Sequence, residues 1–96
     1  MPPDQSQLVY PVIRFDVVDI PAAGTAERIT GRVELLRAGR WVPVRNGTPL
    51  GDGARLRIDA GAGLIVRFST SQVFELCSTE TERWVTLQKP QQAHGT

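Results

Sequence analysis

The sequence predicts an all-β chain, a single small sandwich or barrel-like domain of about seven mainly antiparallel strands. Three observations predict it. No window of about 11 residues or more keeps an i, i+3, i+4, i+7 apolar stripe free of Gly, Pro or a β-branched run. Short β-rich runs appear instead, several alternating polar and apolar with the period of a strand. Turn-forming residues separate these runs at roughly 8–12-residue intervals.

Val12 to Ile20 is the first run, and it alternates in part. Pro21-Ala-Ala-Gly24 stops it. Thr25 is able to cap a short helical turn over Thr25–Arg28. Ile29 to Arg37 reads as the second run, ended by Ala38-Gly39. The third, Trp41 to Arg45, contains Pro43. Proline cannot donate to a sheet ladder, so this run belongs at an edge or a bulge. Asn46-Gly47 tolerates the positive φ of a tight turn. Thr48-Pro49 follows, so that turn opens a loop rather than a hairpin.

The next runs are cleaner. Ala54 to Asp59 places Leu56 and Ile58 on one face and Arg55, Arg57 and Asp59 on the other. Gly61-Ala-Gly63 turns the chain into Leu64–Phe68, with Leu64, Val66 and Phe68 inward and Arg67 outward. After Ser69-Thr-Ser71, Gln72–Leu76 turns Phe74 and Leu76 inward and Glu75 outward. Trp84–Leu87 is the last run. The expected core is Val33, Leu35, Trp41 or Val42, Val44, Leu56, Ile58, Leu64, Val66, Phe68, Phe74 and Leu76. The polar stretches 1–7 and 89–96 read as disordered tails flanking a β domain over residues 8–88.

Composition narrows the function. Ninety-six residues hold one domain. Eleven basic against ten acidic residues, a net charge of +1, exclude a polycation held to nucleic acid by charge alone. One Cys and one His exclude an internal disulfide and an obvious zinc set, and no cofactor or metal is expected. No apolar stretch reaches the ~20 residues of a membrane helix, and the start lacks the pattern of a secretory signal. The chain as written is therefore expected to be cytoplasmic without membrane insertion, or periplasmic if it is cut from a longer exported protein.

Residues 31 to 76 carry a recurring pattern: Gly31-Arg-Val-Glu-Leu35, Arg37-x-Gly39, Trp41-x-Pro43-Val44, Gly47, Leu50, Gly53-x-x-Leu56, Gly61, Leu64-x-Val66-x-Phe68 and Val73-x-Glu75-Leu76. This resembles the FecR domain, a β-rich module of bacterial iron-signalling regulators and envelope proteins. Ser69-Thr-Ser-Gln72 stands where such domains often have an Asp-Gly turn. The resemblance implies a bacterial signalling or envelope-assembly setting and transfers no catalytic motif.

Nothing in the sequence assembles a reaction centre. The sole histidine, His94, falls in the C-terminal tail, away from any Ser-His-Asp set. Cys77 lacks a base and reads as a small hydrophobe at a strand end. Glu80 and Glu82 are spaced for paired carboxylates but sit in a loop. Gly61-Ala-Gly63 lacks the third glycine and the helix of a dinucleotide loop. Asp52 and Asp59 do not match a calcium loop, and Asn46-Gly47-Thr48 is a formal glycosylation acceptor. The expectation is a protein that is not an enzyme; a small hydrolase using Glu80 and Glu82 is the competing class.

The remaining candidate is a surface. Arg55, Arg57 and Arg67 point outward on consecutive runs, which antiparallel pairing would bring together. Trp84 and Tyr10 are companions of the kind found at interface hot spots. Trp41 is expected in the core. The expected function is a non-catalytic interaction or scaffold module. It would bind a protein, or a second copy of itself, through a sheet edge or the Arg55, Arg57, Arg67 and Trp84 face. A carbohydrate- or ligand-binding module is the alternative, and nucleic acid is not an expected partner.

Overall fold

The computed structural model describes residues 13–90. Nine strands follow in order: β1 (Arg14–Asp19), β2 (Gly24–Thr30), β3 (Val33–Arg37), β4 (Arg40–Pro43), β5 (Pro49–Leu50), β6 (Arg55–Ile58), β7 (Gly63–Phe68), β8 (Val73–Cys77) and β9 (Arg83–Gln88). They form a five-stranded sheet, β1-β9-β6-β3-β4, and a four-stranded sheet, β5-β2-β7-β8. The all-β class is as expected; the strand count is nine rather than seven. No helix among the described residues is long and apolar enough to cross a membrane. Tyr10, His94 and the tails lie outside the described residues, apart from Lys89, whose amide donates to Asp52 Oδ1 at 2.7 Å, and Pro90.

The core lies between the sheets because each strand sends alternate residues inward. Val33, Leu35, Leu56, Ile58, Val85 and Leu87 come from the larger sheet. Ala26, Leu50, Leu64, Val66, Phe68 and Leu76 come from the smaller. Ile20, Val44 and Ala62 close the layer from the connections. Every expected core position is buried or packed against this cluster except Trp41; Val42 turns inward and Trp41 outward.

Three local expectations change. The run expected over Ile29–Arg37 is two strands, divided where Gly31 (φ 71°) takes the chain from one sheet to the other. Ala62 Cβ lies 2.9 Å from where a side chain on Gly31 would start, so the crossing is closely packed. Thr25–Glu27 is extended rather than helical, and Arg28 takes a left-handed φ of 49° at an irregularity in β2. Thr25, Ala26 and Glu27 pair with Arg67, Val66 and Ile65, and burial of Ala26 opposite Val66 outweighs the local capping preference of Thr25. β5, only two residues long, was not expected at all; it continues the sheet beside Gly24 and Thr25. Pro43 does lie on an edge strand, β4, as its missing N–H requires. Asn46-Gly47 opens a loop to the other sheet, with Gly47 at φ 90° and Asn46 Oδ1 accepting the Arg28 amide at 3.0 Å.

The β3–β4 hairpin turns on Ala38 (φ 51°) and Gly39 (φ 77°). Both central residues of such a turn need positive φ, which Asn adopts more readily than Ala. Ala38→Asn is expected to raise the unfolding free energy by about 0.5–1 kcal/mol. Urea denaturation of the variant beside the parent chain measures it.

Candidate functional site: an aromatic and arginine face

The registers of the five-stranded sheet determine which side chains meet on its outer surface. One row runs Phe15, Trp84, Arg57, Glu34 and Pro43 from β1 to β4. The next begins Val17, Thr86 and Arg55, and Leu36 and Trp41 extend it. Strands lie about 4.8 Å apart, so large side chains in neighbouring rows touch. The Phe15 and Trp84 rings meet edge to face at 5.4 Å and 67°. Trp41 reaches Trp84 at 5.1 Å and 66°. Each such pair contributes about 0.5–1.5 kcal/mol beyond its buried area.

Arg57 is held inside this arrangement. Its Nε and Nη2 donate to Glu34 Oε1 at 3.1 and 2.5 Å, and its guanidinium carbon lies 4.5 Å from the Trp41 ring centre. Arg32 Nη2 adds a contact to Glu34 Oε2 at 3.4 Å. The Glu34 side chain is only 9% exposed. The hydrogen bond from Arg57 holds its carboxyl below the usual carboxylate range, against the opposing effect of desolvation. Asp16 is lowered likewise, chiefly by its hydrogen bond from Arg83. Arg83 also donates to the Cys77 carbonyl at 2.9 Å, which ties the two sheets together.

These two carboxylates make stability depend on acid. A carboxyl whose pKa is lower in the folded state releases its proton more readily there than in the unfolded chain. Its stabilisation is present above the ordinary carboxylate range and disappears as pH falls through the lowered value. The unfolding free energy is therefore expected to decline on acidification below the ordinary range. Glu34→Gln is expected to make that decline shallower. Urea titrations of both proteins at neutral and acidic pH test it; parallel declines would remove Glu34 from the linkage.

The four residues singled out from sequence do not form one patch. Arg55, Arg57 and Trp84 share the outer face of the larger sheet. Arg67 does not join them, because β6 and β7 belong to different sheets. It lies on the outer face of the smaller sheet and donates to Glu27 Oε1 at 2.9 Å. With Arg57 also engaged, Arg55 alone of the three is exposed without an acidic partner among the described residues. It borders a cleft of about 270 Å³ that Thr86 floors and Phe15, Val17, Trp41 and Trp84 line.

Phe15, Val17 and Thr86 were not singled out from sequence, and Trp41 was placed in the core. Phe15 is 70% and Val17 63% exposed, on an edge strand. Run Val12–Ile20 has apolar residues at both parities, so alternation alone leaves open which set turns inward. Val18 and Ile20 pack toward the core, and that choice exposes Phe15 and Val17.

The other candidates stay apart. Cys77 is exposed rather than packed. Glu80 is exposed in the β8–β9 loop, while Glu82 accepts the Trp84 indole N–H at 2.5 Å. Among the described residues no three His, Cys, Asp or Glu side chains converge to hold a metal ion. Comparison with family models, curated proteins and solved structures finds no match to this chain.

Proposed function

We propose that this chain is a non-catalytic protein-docking module whose binding surface is the aromatic outer face of the five-stranded sheet, beside edge strand β1. The observation that carries the reading is the exposure of Phe15 and Val17 in line with Trp84, Thr86 and Arg55. Solvent-facing apolar side chains grouped with aromatics and an arginine have the composition of an interface core. A strand added beside β1 would complete its backbone hydrogen bonds and cover Phe15 and Val17. The FecR resemblance adds the proposed setting of bacterial signalling or envelope assembly.

A protein fits better than a glycan. Sugar rings stack on open aromatic faces, whereas these rings meet edge to face and Arg57 covers Trp41. Nucleic acid fits less well, because Glu34 and Glu27 already neutralise Arg57 and Arg67.

Phe15→Asp is expected to weaken partner capture by at least roughly thirtyfold, about 2 kcal/mol. Thr25→Asp, on the outer face of the other sheet, is expected to leave capture unchanged. Cross-linking followed by mass spectrometry, with light scattering on the same samples, reads both variants and separates a second copy from another protein. Equal loss in both variants, or none in either, overturns the assignment of this face. Ester, phosphate or glycoside turnover abolished by Glu80→Gln or Glu82→Gln would overturn the non-catalytic reading.

A further inference from the structure

We infer that the partner segment is acidic as well as apolar: one of its side chains seats over Thr86 beside the paired tryptophans while an adjoining Asp or Glu pairs with Arg55. This inference rests on the docking reading and specifies its partner.

The charge at the cleft supports it. Arg55 is the one arginine among the residues lining it. Arg57 and Arg67 each have a glutamate, whereas Arg55 is exposed beside aromatic walls with no acidic partner among the described residues. Asp16 also lines the cleft, but Arg83 and Arg14 hold its carboxylate at 2.6 and 3.2 Å. The cleft therefore combines aromatic and apolar walls with one exposed arginine that no acid among the described residues pairs. A guanidinium fork beside aromatic surface suits a carboxylate flanked by apolar groups.

The chain supplies its own reporter. It has two tryptophans, and both line this cleft, so indole emission reads occupancy there. Short random peptides displayed on phage are selected against the full chain. The recovered peptides are then synthesised with their Asp or Glu intact or replaced by Asn or Gln. The expected result is enrichment of an acidic residue beside Leu, Ile or Phe, with a change in indole emission on titration. The amide replacement is expected to weaken binding at least tenfold. Arg55→Gln is expected to weaken the acidic peptide similarly and to erase the preference for acid over amide. Circular dichroism of that variant should match the parent.

Peptides without acidic residues, or an undiminished acid preference in Arg55→Gln, would overturn the inference and leave the docking reading standing. Failure to select any peptide that changes indole emission would overturn both. An acidic oligosaccharide that alters the emission in an Arg55-dependent manner, where peptides do not, would reassign the site to a glycan.

Discussion

Phe68→Ala is expected to lower the unfolding free energy by about 3–5 kcal/mol, the usual cost of emptying a buried aromatic position. Phe68 is 3% exposed, and its ring meets Phe74 edge to face at 4.8 Å. Directly across the ladder is Gly24, which has no side chain of its own to fill the layer. The ring therefore covers both its own share of the core and the bare backbone of β2. Urea denaturation decides the matter; a loss below about 1 kcal/mol would mean the ring is not a core element.

The converse substitution tests the same contact from the other strand. A Cβ on Gly24 would lie 2.8 Å from Phe68 Cδ1 and 2.9 Å from the Arg67 carbonyl oxygen. The ring can move, but the carbonyl belongs to the paired strand. Gly24→Val is expected to cost about 3 kcal/mol, the upper end for overpacking, because β2 and β7 must separate to admit it. Gly51→Ala is the control, since a Cβ there meets nothing within 4 Å. It is expected to change stability by less than about 0.5 kcal/mol. In a Gly24→Ala, Phe68→Ala double variant the combined loss should fall short of the summed single losses, because the deleted ring vacates space for the new methyl.

Clean alternation made some of this fold readable from sequence. Leu56 and Ile58, then Leu64, Val66 and Phe68, repeat every second residue, and their strands appear where expected. β2 was hidden because Gly24-Thr-Ala-Glu-Arg-Ile-Thr30 offers little apolar surface. Ala26 becomes core only because Val66 faces it. The candidate site was legible in its residue types but not in its assembly. Arg55 and Arg67 come from neighbouring runs, yet the chain crosses between sheets around Asp59–Ala62, so they face opposite sides of the molecule. Trp41 followed the apolar pattern of its run, but Val42 faces Leu35 inside and Trp41 faces Leu36 outside. That outcome depends on hairpin register, which composition does not encode.

The pairing of β1 with β9 has a mechanical consequence. These are the first and last strands among the described residues, and they run parallel in a register that joins Arg14 to Arg83 and Asp19 to Gln88. A pull on the chain before β1 and after β9 drives the two strands past each other along their length. The load then falls on the rungs of this ladder together, instead of opening them in succession as in a zipper. Tethered through residues on either side of this pair, the domain should resist extension until the ladder slips as a unit. The opposite flank carries no such load, because β4 and β5 lie outside the line of tension, whereas the Phe15–Trp84 contact sits on a rung of the loaded ladder and parts when it slips.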